Sequence, residues 1–172
     1  SFTRIDGVLS ARHAMTAGLI LFPREFRRVT MNTFRPISAT PDLSQEGLAA
    51  GFVDRFALAS GVVVESTVSF RQFEIDLSPT SAEVMTWTPE TQRGGYFNIQ
   101  ERTVTSVQWV EAVSLSRNLW RGQHVFKVGT DLQMSAYNGT SESRPVEVRR
   151  NDGSLAERVE FGPLVRQDVM AL

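Results

Sequence analysis

From His124 to Tyr137 the residues alternate without a break. Phe126, Val128, Thr130, Leu132, Met134 and Ala136 share one parity, and Lys127, Gly129, Asp131, Gln133 and Ser135 share the other. A period of two is the signature of a strand whose two faces meet different media. This run is long for a strand of a globular domain and suits a tilted strand that crosses a bilayer. Its opening, His124-Val125-Phe126-Lys127-Val128-Gly129, echoes His13-Ala14-Met15-Thr16-Ala17-Gly18 near the start of the chain. Each copy follows a polar, turn-like stretch and opens an alternating run.

The rest of the chain is consistent with strands alone. The 172 residues suffice for one sizeable domain, and a net charge of −1 leaves no basic footprint for nucleic acid. Hydrophobic residues make up 41%, which is compatible with a membrane barrel because alternating strands dilute the hydropathy signal. No apolar run is long enough for a transmembrane helix. The chain has no cysteine, so disulfides, zinc-thiolate sites and a cysteine nucleophile are excluded. The sequence opens at Ser1 inside a strand pattern without a signal peptide and stops at Leu164 to Leu172 without a capping feature. The expectation is a piece of something longer.

All seven prolines, at 23, 36, 41, 79, 89, 145 and 163, are expected outside the strands, whose backbone donors are needed for pairing. Six main strands are expected at Phe2 to Leu9, Ala14 to Phe22, Gly47 to Leu58, Val62 to Leu77, Thr103 to Leu115 and His124 to Tyr137. A smaller hairpin follows, Val146 to Arg150 and Leu155 to Phe161, turning at Asn151-Asp152-Gly153. Short connections at Ser10 to His13, Ala59 to Gly61 and Ser116 to Gln123 alternate with long ones at Pro23 to Glu46, Ser78 to Arg102 and after Asn138. Compact soluble domains rarely carry such long loops, whereas outer-membrane barrels pair short periplasmic turns with long outer loops. This asymmetry decides the fold class: all-β, an antiparallel meander forming part of a transmembrane barrel across residues 1–172.

The strand faces follow from charge. Val62, Val64, Val68 and Phe70 share a face with Ser66, while Glu65, Thr67, Ser69 and Arg71 share the other. Turning Glu65 and Arg71 toward lipid is costly, so the polar face is expected to be the lumen. By the same alternation Arg4, Asp6, Lys127 and Asp131 are expected to line the lumen. The third and fifth strands resist assignment, because Asp54 shares parity with Phe52 and Phe56, and Glu111 with Trp109. A bulge or a membrane interface would shift their register.

At this point the chain resembles a family. The residues are Arg4-Ile5-Asp6 with His13-Ala14-Met15-Thr16 and Leu21-Phe22-Pro23; Thr88-Pro89-Glu90 before Gly95-Tyr96-Phe97-Asn98, with Trp109 in the next strand; Gln123 to Asp131; and Arg144-Pro145-Val146-Glu147-Val148-Arg149-Arg150 with Asn151-Asp152-Gly153. In order and spacing they resemble the barrel of TonB-dependent outer-membrane receptors, of the large type with an N-terminal carboxypeptidase-regulatory-like domain found in soil bacteria such as acidobacteria. The resemblance implies a barrel of about twenty-two strands around a plug and import of a small solute, carbohydrate or siderophore-like. It also implies a place in the bacterial outer membrane and a TonB-type partner acting through the plug. The plug has no counterpart in this sequence, so the chain would be wall, turns and outer loops.

Chemistry-bearing motifs are sparse. His13 and His124 sit just after short turns, where interfacial residues are expected rather than a metal site or a catalytic base. Glu74 and Asp76, or Glu65, would be the carboxylates for glycosidase chemistry, but solvated loop or lumen positions explain them. No G-x-S-x-G elbow, P-loop or dinucleotide fingerprint occurs, and Gly94-Gly95 is a lone loop pair. Asn138-Gly139-Thr140 matches a glycosylation sequon of little weight. An enzyme and a bound cofactor are therefore not expected. Trp109, Trp120, Tyr137 and Phe126 are expected near strand ends, as in interfacial girdles. Trp87, Tyr96 and Phe97 fall in the second long loop, where they would stack on a sugar ring or pack within the loop. Arg24, Arg27, Arg28 and Arg35 make the first long loop basic, a feature that would attract an anionic ligand or lipopolysaccharide. Two alternatives remain: a complete small barrel, and a soluble secreted β-sandwich binding module that would bury Val62, Val64, Val68, Phe126, Val128 and Leu132.

Overall fold

The computed structural model describes residues 1–58, 61–120 and 122–171. Its elements are β1 (Phe2–Ser10), β2 (His13–Leu21), β3 (Arg24–Phe26), a 3₁₀ turn (Ile37–Ala39), β4 (Pro41–Ala57), β5 (Val62–Pro79), β6 (Met85–Trp87) and β7 (Gln92–Arg93). Then follow β8 (Asn98–Leu119), β9 (Gly122–Ser143), β10 (Val146–Arg149), β11 (Leu155–Val159) and β12 (Val165–Ala171). β1, β2, β4, β5, β8, β9 and β12 pair in that order as an antiparallel meander, with β3 beside β4. A second sheet, β11-β10-β6-β7, is made from the long connections; within it β10 runs parallel to β6. β1 and β12 are not paired with each other, so the large sheet is open.

Six expected strands are present and mostly longer than the alternation indicated. β4 starts at Pro41 instead of Gly47, and β8 spans Asn98–Leu119 instead of Thr103 to Leu115. The expected connection Ser116 to Gln123 is paired backbone up to Leu119↔Gly122. Trp120 follows with φ 53°; Arg121 lies outside the described residues. A positive φ there fits a two-residue hairpin turn. Ala59 and Ser60 of the expected second turn also lie outside them. β9 continues past Asn138 to Ser143, pairing with Asn98, so the sequon is strand. Two prolines are not outside the strands: Pro41 and Pro79 are their terminal residues and face each other. A strand end tolerates proline because no further ladder bond is asked of its nitrogen. The tail, which lies outside the expected strands, forms β12 (Val165–Ala171). The register through β4, β5, β8 and β9 is continuous; the irregularity lies between Val8 and Ser10 of β1. Asp54 and Glu111 therefore stay on the parity of Phe52, Phe56 and Trp109.

The strands are inclined. One row of direct partners runs His13–Phe56–Val64–Val113–Val128. His13 closes the β1–β2 hairpin against Ser10, whereas β8 runs six residues beyond Val113 before its hairpin closes at Leu119↔Gly122. Four strand spacings separate the two hairpins. With about 3.3 Å per residue and about 4.8 Å between strands, a level line through the turns meets the strands at about 45°. Closed barrels have inclinations of this order.

Candidate functional site

The clearest feature of the large sheet is its two faces. Direct partners share a face, so the ladders assign every residue. One face carries Val62, Val64, Val68 and Phe70 of β5, Val107, Trp109, Val113 and Leu115 of β8, and Phe126, Val128, Leu132 and Met134 of β9. It continues through Leu48, Phe52 and Phe56 of β4 to Met15 and Leu19 of β2. Nothing covers this face: Phe126, Val128 and Leu132 are 55%, 72% and 56% exposed. A sandwich would have buried them. The Trp109 expected near a strand end stands in mid-strand on this face.

The opposite face brings together all six charged residues singled out by alternation. Arg4 and Asp6 face Gly18 and Thr16. Glu65 faces Arg55 and Ala112, Arg71 faces Ala49 and Ser106, Lys127 faces Ser114, and Asp131 faces Val110. The Arg4 guanidinium donates to Asp6 at 2.9 Å, Thr16 donates to Asp6 at 2.7 Å, and Gln108 donates to Asp131 at 2.9 Å. Between these charges many positions of the face are small, including Gly18, Gly51, Ser69 and Ser106, with Arg55, Gln108 and Val110 among them.

Period-two reading missed a reversal of polarity. It begins after the row Leu21–Leu48–Gln72–Thr105–Ala136–Met170. Beyond that row, toward the long connections, the apolar face turns acidic with Glu46, Glu74, Asp76, Glu101 and Asp168. The other face gains Phe73, Ile75, Leu77, Val104 and Val169. There the Phe22 ring stacks on Phe73 with centroids 6.2 Å apart. It occupies the space a side chain at Gly47 would need. The carboxylates considered for glycosidase chemistry are thus split between faces, Glu74 and Asp76 on one and Glu65 on the other.

A second missed feature is a polar row inside the apolar face. Asp54, Ser66, Glu111 and Thr130 are successive cross-strand partners. His13 Nε2 meets Asp54 Oδ1 at 2.6 Å, and the Ser66 hydroxyl donates to Glu111. Apolar rows flank it on both sides, Phe52–Val68–Trp109–Leu132 and Phe56–Val64–Val113–Val128. Among the described residues, no group of three His, Asp or Glu side chains could hold a metal ion.

The smaller sheet forms a cap in which Met85 and Val146, direct partners, are buried, as are Ala39 and Thr40 at the 3₁₀ turn. Tyr96 packs against Phe97 at 5.1 Å, and Phe97 stacks on Phe161 at 5.3 Å. Trp87 stands apart from them, 41% exposed, opposite Gln92 and Val148. Two arginines of the first long connection, Arg27 and Arg35, have side-chain partners. Arg27 pairs with Glu25 at 2.8 Å, and Arg35 donates to Gln92 at 2.6 Å and to Thr30 at 2.5 Å. At the β10–β11 turn Asp152 accepts from the Ser154 amide at 2.9 Å. Hydrogen bonds from Ser154 hold its carboxyl below the usual range. A depressed carboxyl stabilises the fold above its unfolded pKa and loses that contribution as pH falls through its folded one. The protection of the Leu155–Val159 amides, the ratio of intrinsic to observed exchange rate, is expected to fall below about pH 4 in the native protein and to stay flat with pH in Asp152→Asn.

No family model matches this sequence, and no curated protein matches it. A solved structure does: the outer membrane transporter YddB from Escherichia coli superposes with a TM-score of 0.67 at 11% sequence identity. The match covers 98% of this chain and 23% of that one, so the chain spans less than a quarter of the transporter's length. The fold is thus an all-β antiparallel meander similar to part of the wall of an outer-membrane transporter barrel.

Proposed function

We propose that residues 1–172 are a section of the barrel wall of an outer-membrane receptor-transporter of the TonB-dependent kind, importing a small solute. The observation that carries this reading is the bounded apolar belt. On β9 it runs from Phe126 to Ala136, about 33 Å of strand, or about 23 Å of depth at an inclination of 45°. Outer-membrane barrels carry an apolar band about 25 Å tall. The short turns then face the periplasm, and the acidic row and the cap stand outside. Arg4, Asp6, Glu65, Arg71, Lys127 and Asp131 line the lumen, where water, a plug or a solute solvates them.

In this reading the wall is passive. Lipid solvates the belt, and the cap with Trp87, Tyr96 and Phe97 meets a solute such as a carbohydrate or siderophore. Work is supplied by a TonB-type protein through a plug outside this chain. The role is not enzymatic and involves neither a cofactor nor nucleic acid. A small complete barrel is disfavoured because seven alternating strands leave β1 and β12 running in the same direction. Joining them would need a parallel pair, while bacterial barrels close antiparallel with even strand numbers.

The test uses introduced thiols, with which no native cysteine of residues 1–172 competes. In the full protein in bilayers, a thiol at Val128→Cys is expected to resist a water-soluble maleimide, and a fluorophore attached to it is expected to be quenched by nitroxide lipids. Lys127→Cys, one residue away, is expected to react with the maleimide. Equal reaction at both, with no lipid quenching, would remove the wall from the membrane.

A further inference from the structure

The polar row across the belt is out of place if lipid alone surrounds the wall. Asp54 and Glu111 stand among Phe52, Phe56, Val68, Val113 and Trp109, on strands whose register is unbroken, so no bulge turns them inward. His13 and Ser66 each satisfy part of one carboxylate. Two carboxylates against one imidazole leave the row short of positive charge. Ionisable side chains at membrane depth ordinarily pair with something or mark a functional contact.

Resting on the membrane reading above, we infer that the row His13–Asp54–Ser66–Glu111–Thr130 is a lateral docking surface for another membrane-inserted protein segment. That segment presents a lysine or arginine at belt depth. The choice of partner follows from charge complementarity. A basic side chain reaching Glu111 would supply the missing donor and take that carboxylate out of lipid. The apolar rows above and below the polar row would pack against the same segment. The row also crosses the belt obliquely, perpendicular to strands inclined at about 45°. A second copy related by an axis along the membrane normal would present an equally oblique row that crosses this one. That geometry favours a different partner.

The experiment places a photoreactive residue in the full protein, in its native membrane, at Val68 beside the row or at Met134 two rows away on the same face. At Val68 the expected product is a protein adduct. Its mapped peptide should come from a membrane-inserted segment of another protein and contain a lysine or arginine. Asp54→Leu with Glu111→Leu should reduce that adduct at least tenfold, and Asp54→Asn with Glu111→Gln, which keeps the side-chain shapes, should also weaken it. Met134 should give lipid adducts alone. Lipid adducts alone at Val68, a protein adduct indifferent to these substitutions, or a peptide from a second copy would each overturn the inference. Loss of lipid adducts at both positions would instead sink the membrane reading beneath it.

Discussion

Phe70→Arg is expected to cost the assembled wall about 2–4 kcal/mol, the penalty for a basic side chain well inside a barrel's lipid-facing band. Phe70 sits on the apolar face between Ala50 and Val107, away from the carboxylates that could neutralise a new cation. Ser69→Arg puts the same charge one residue earlier, on the other face, between Gly51 and Gln108. Gly51 leaves open space there, so that variant should stay within about 0.5 kcal/mol of the native protein. Denaturant titration of the full protein folded into vesicles reads the difference. Equal penalties at the two positions would mean that the faces do not meet different media.

Gly94→Ala should open the cap while sparing the wall. Gly94 has φ 79°, a conformation that costs a side-chain-bearing residue about 1–2 kcal/mol. The added carbon would also collide with the Val84 carbonyl, next to Met85, which is 1% exposed. Overpacking of this kind adds about 1–3 kcal/mol. Gly153→Ala is the matched control: its φ is 82°, but nothing lies near the new carbon. Limited proteolysis should cut between Ser81 and Phe97 in Gly94→Ala and leave Gly153→Ala resistant. The heat-stable fraction of barrel should be unchanged in both. Resistance in Gly94→Ala would show that the cap does not depend on this tuck.

Much of this arrangement is legible in the residues, because alternation reports faces directly. It brings Arg4, Asp6, Glu65, Arg71, Lys127 and Asp131 onto a single face, where the ladders place them. It fails where the medium changes but the period does not. Leu21-Phe22, Ala136-Tyr137 and Val169-Met170 are adjacent apolar residues on opposite faces. Each marks the row at which polarity reverses, a phase slip visible in the sequence. β12 escaped notice for this reason, since the slip falls inside its seven residues and erases the pattern. The β8–β9 connection, expected to be short at Ser116 to Gln123, is shorter still: Arg117, Asn118 and Gln123 look like loop residues, yet their backbones pair. The pairing of His13 with Asp54 joins residues 41 apart, which local pattern cannot supply. Gly94 and Gly95 carried no signal until Ser81 to Met85 were folded against them.

The inclination of the strands also sets how wide a passage this wall could border. At about 45° each strand takes about 6.8 Å of circumference in place of about 4.8 Å. Seven strands therefore cover about 48 Å of perimeter. Bent into a ring by themselves they would enclose a backbone bore about 15 Å across, which inward side chains would fill. The same arc laid on a larger circle is gently curved, and its small-residue inner face then borders open space. A solute path along Arg4, Glu65 and Lys127, as proposed above, would thus be a property of a perimeter shared with further strands.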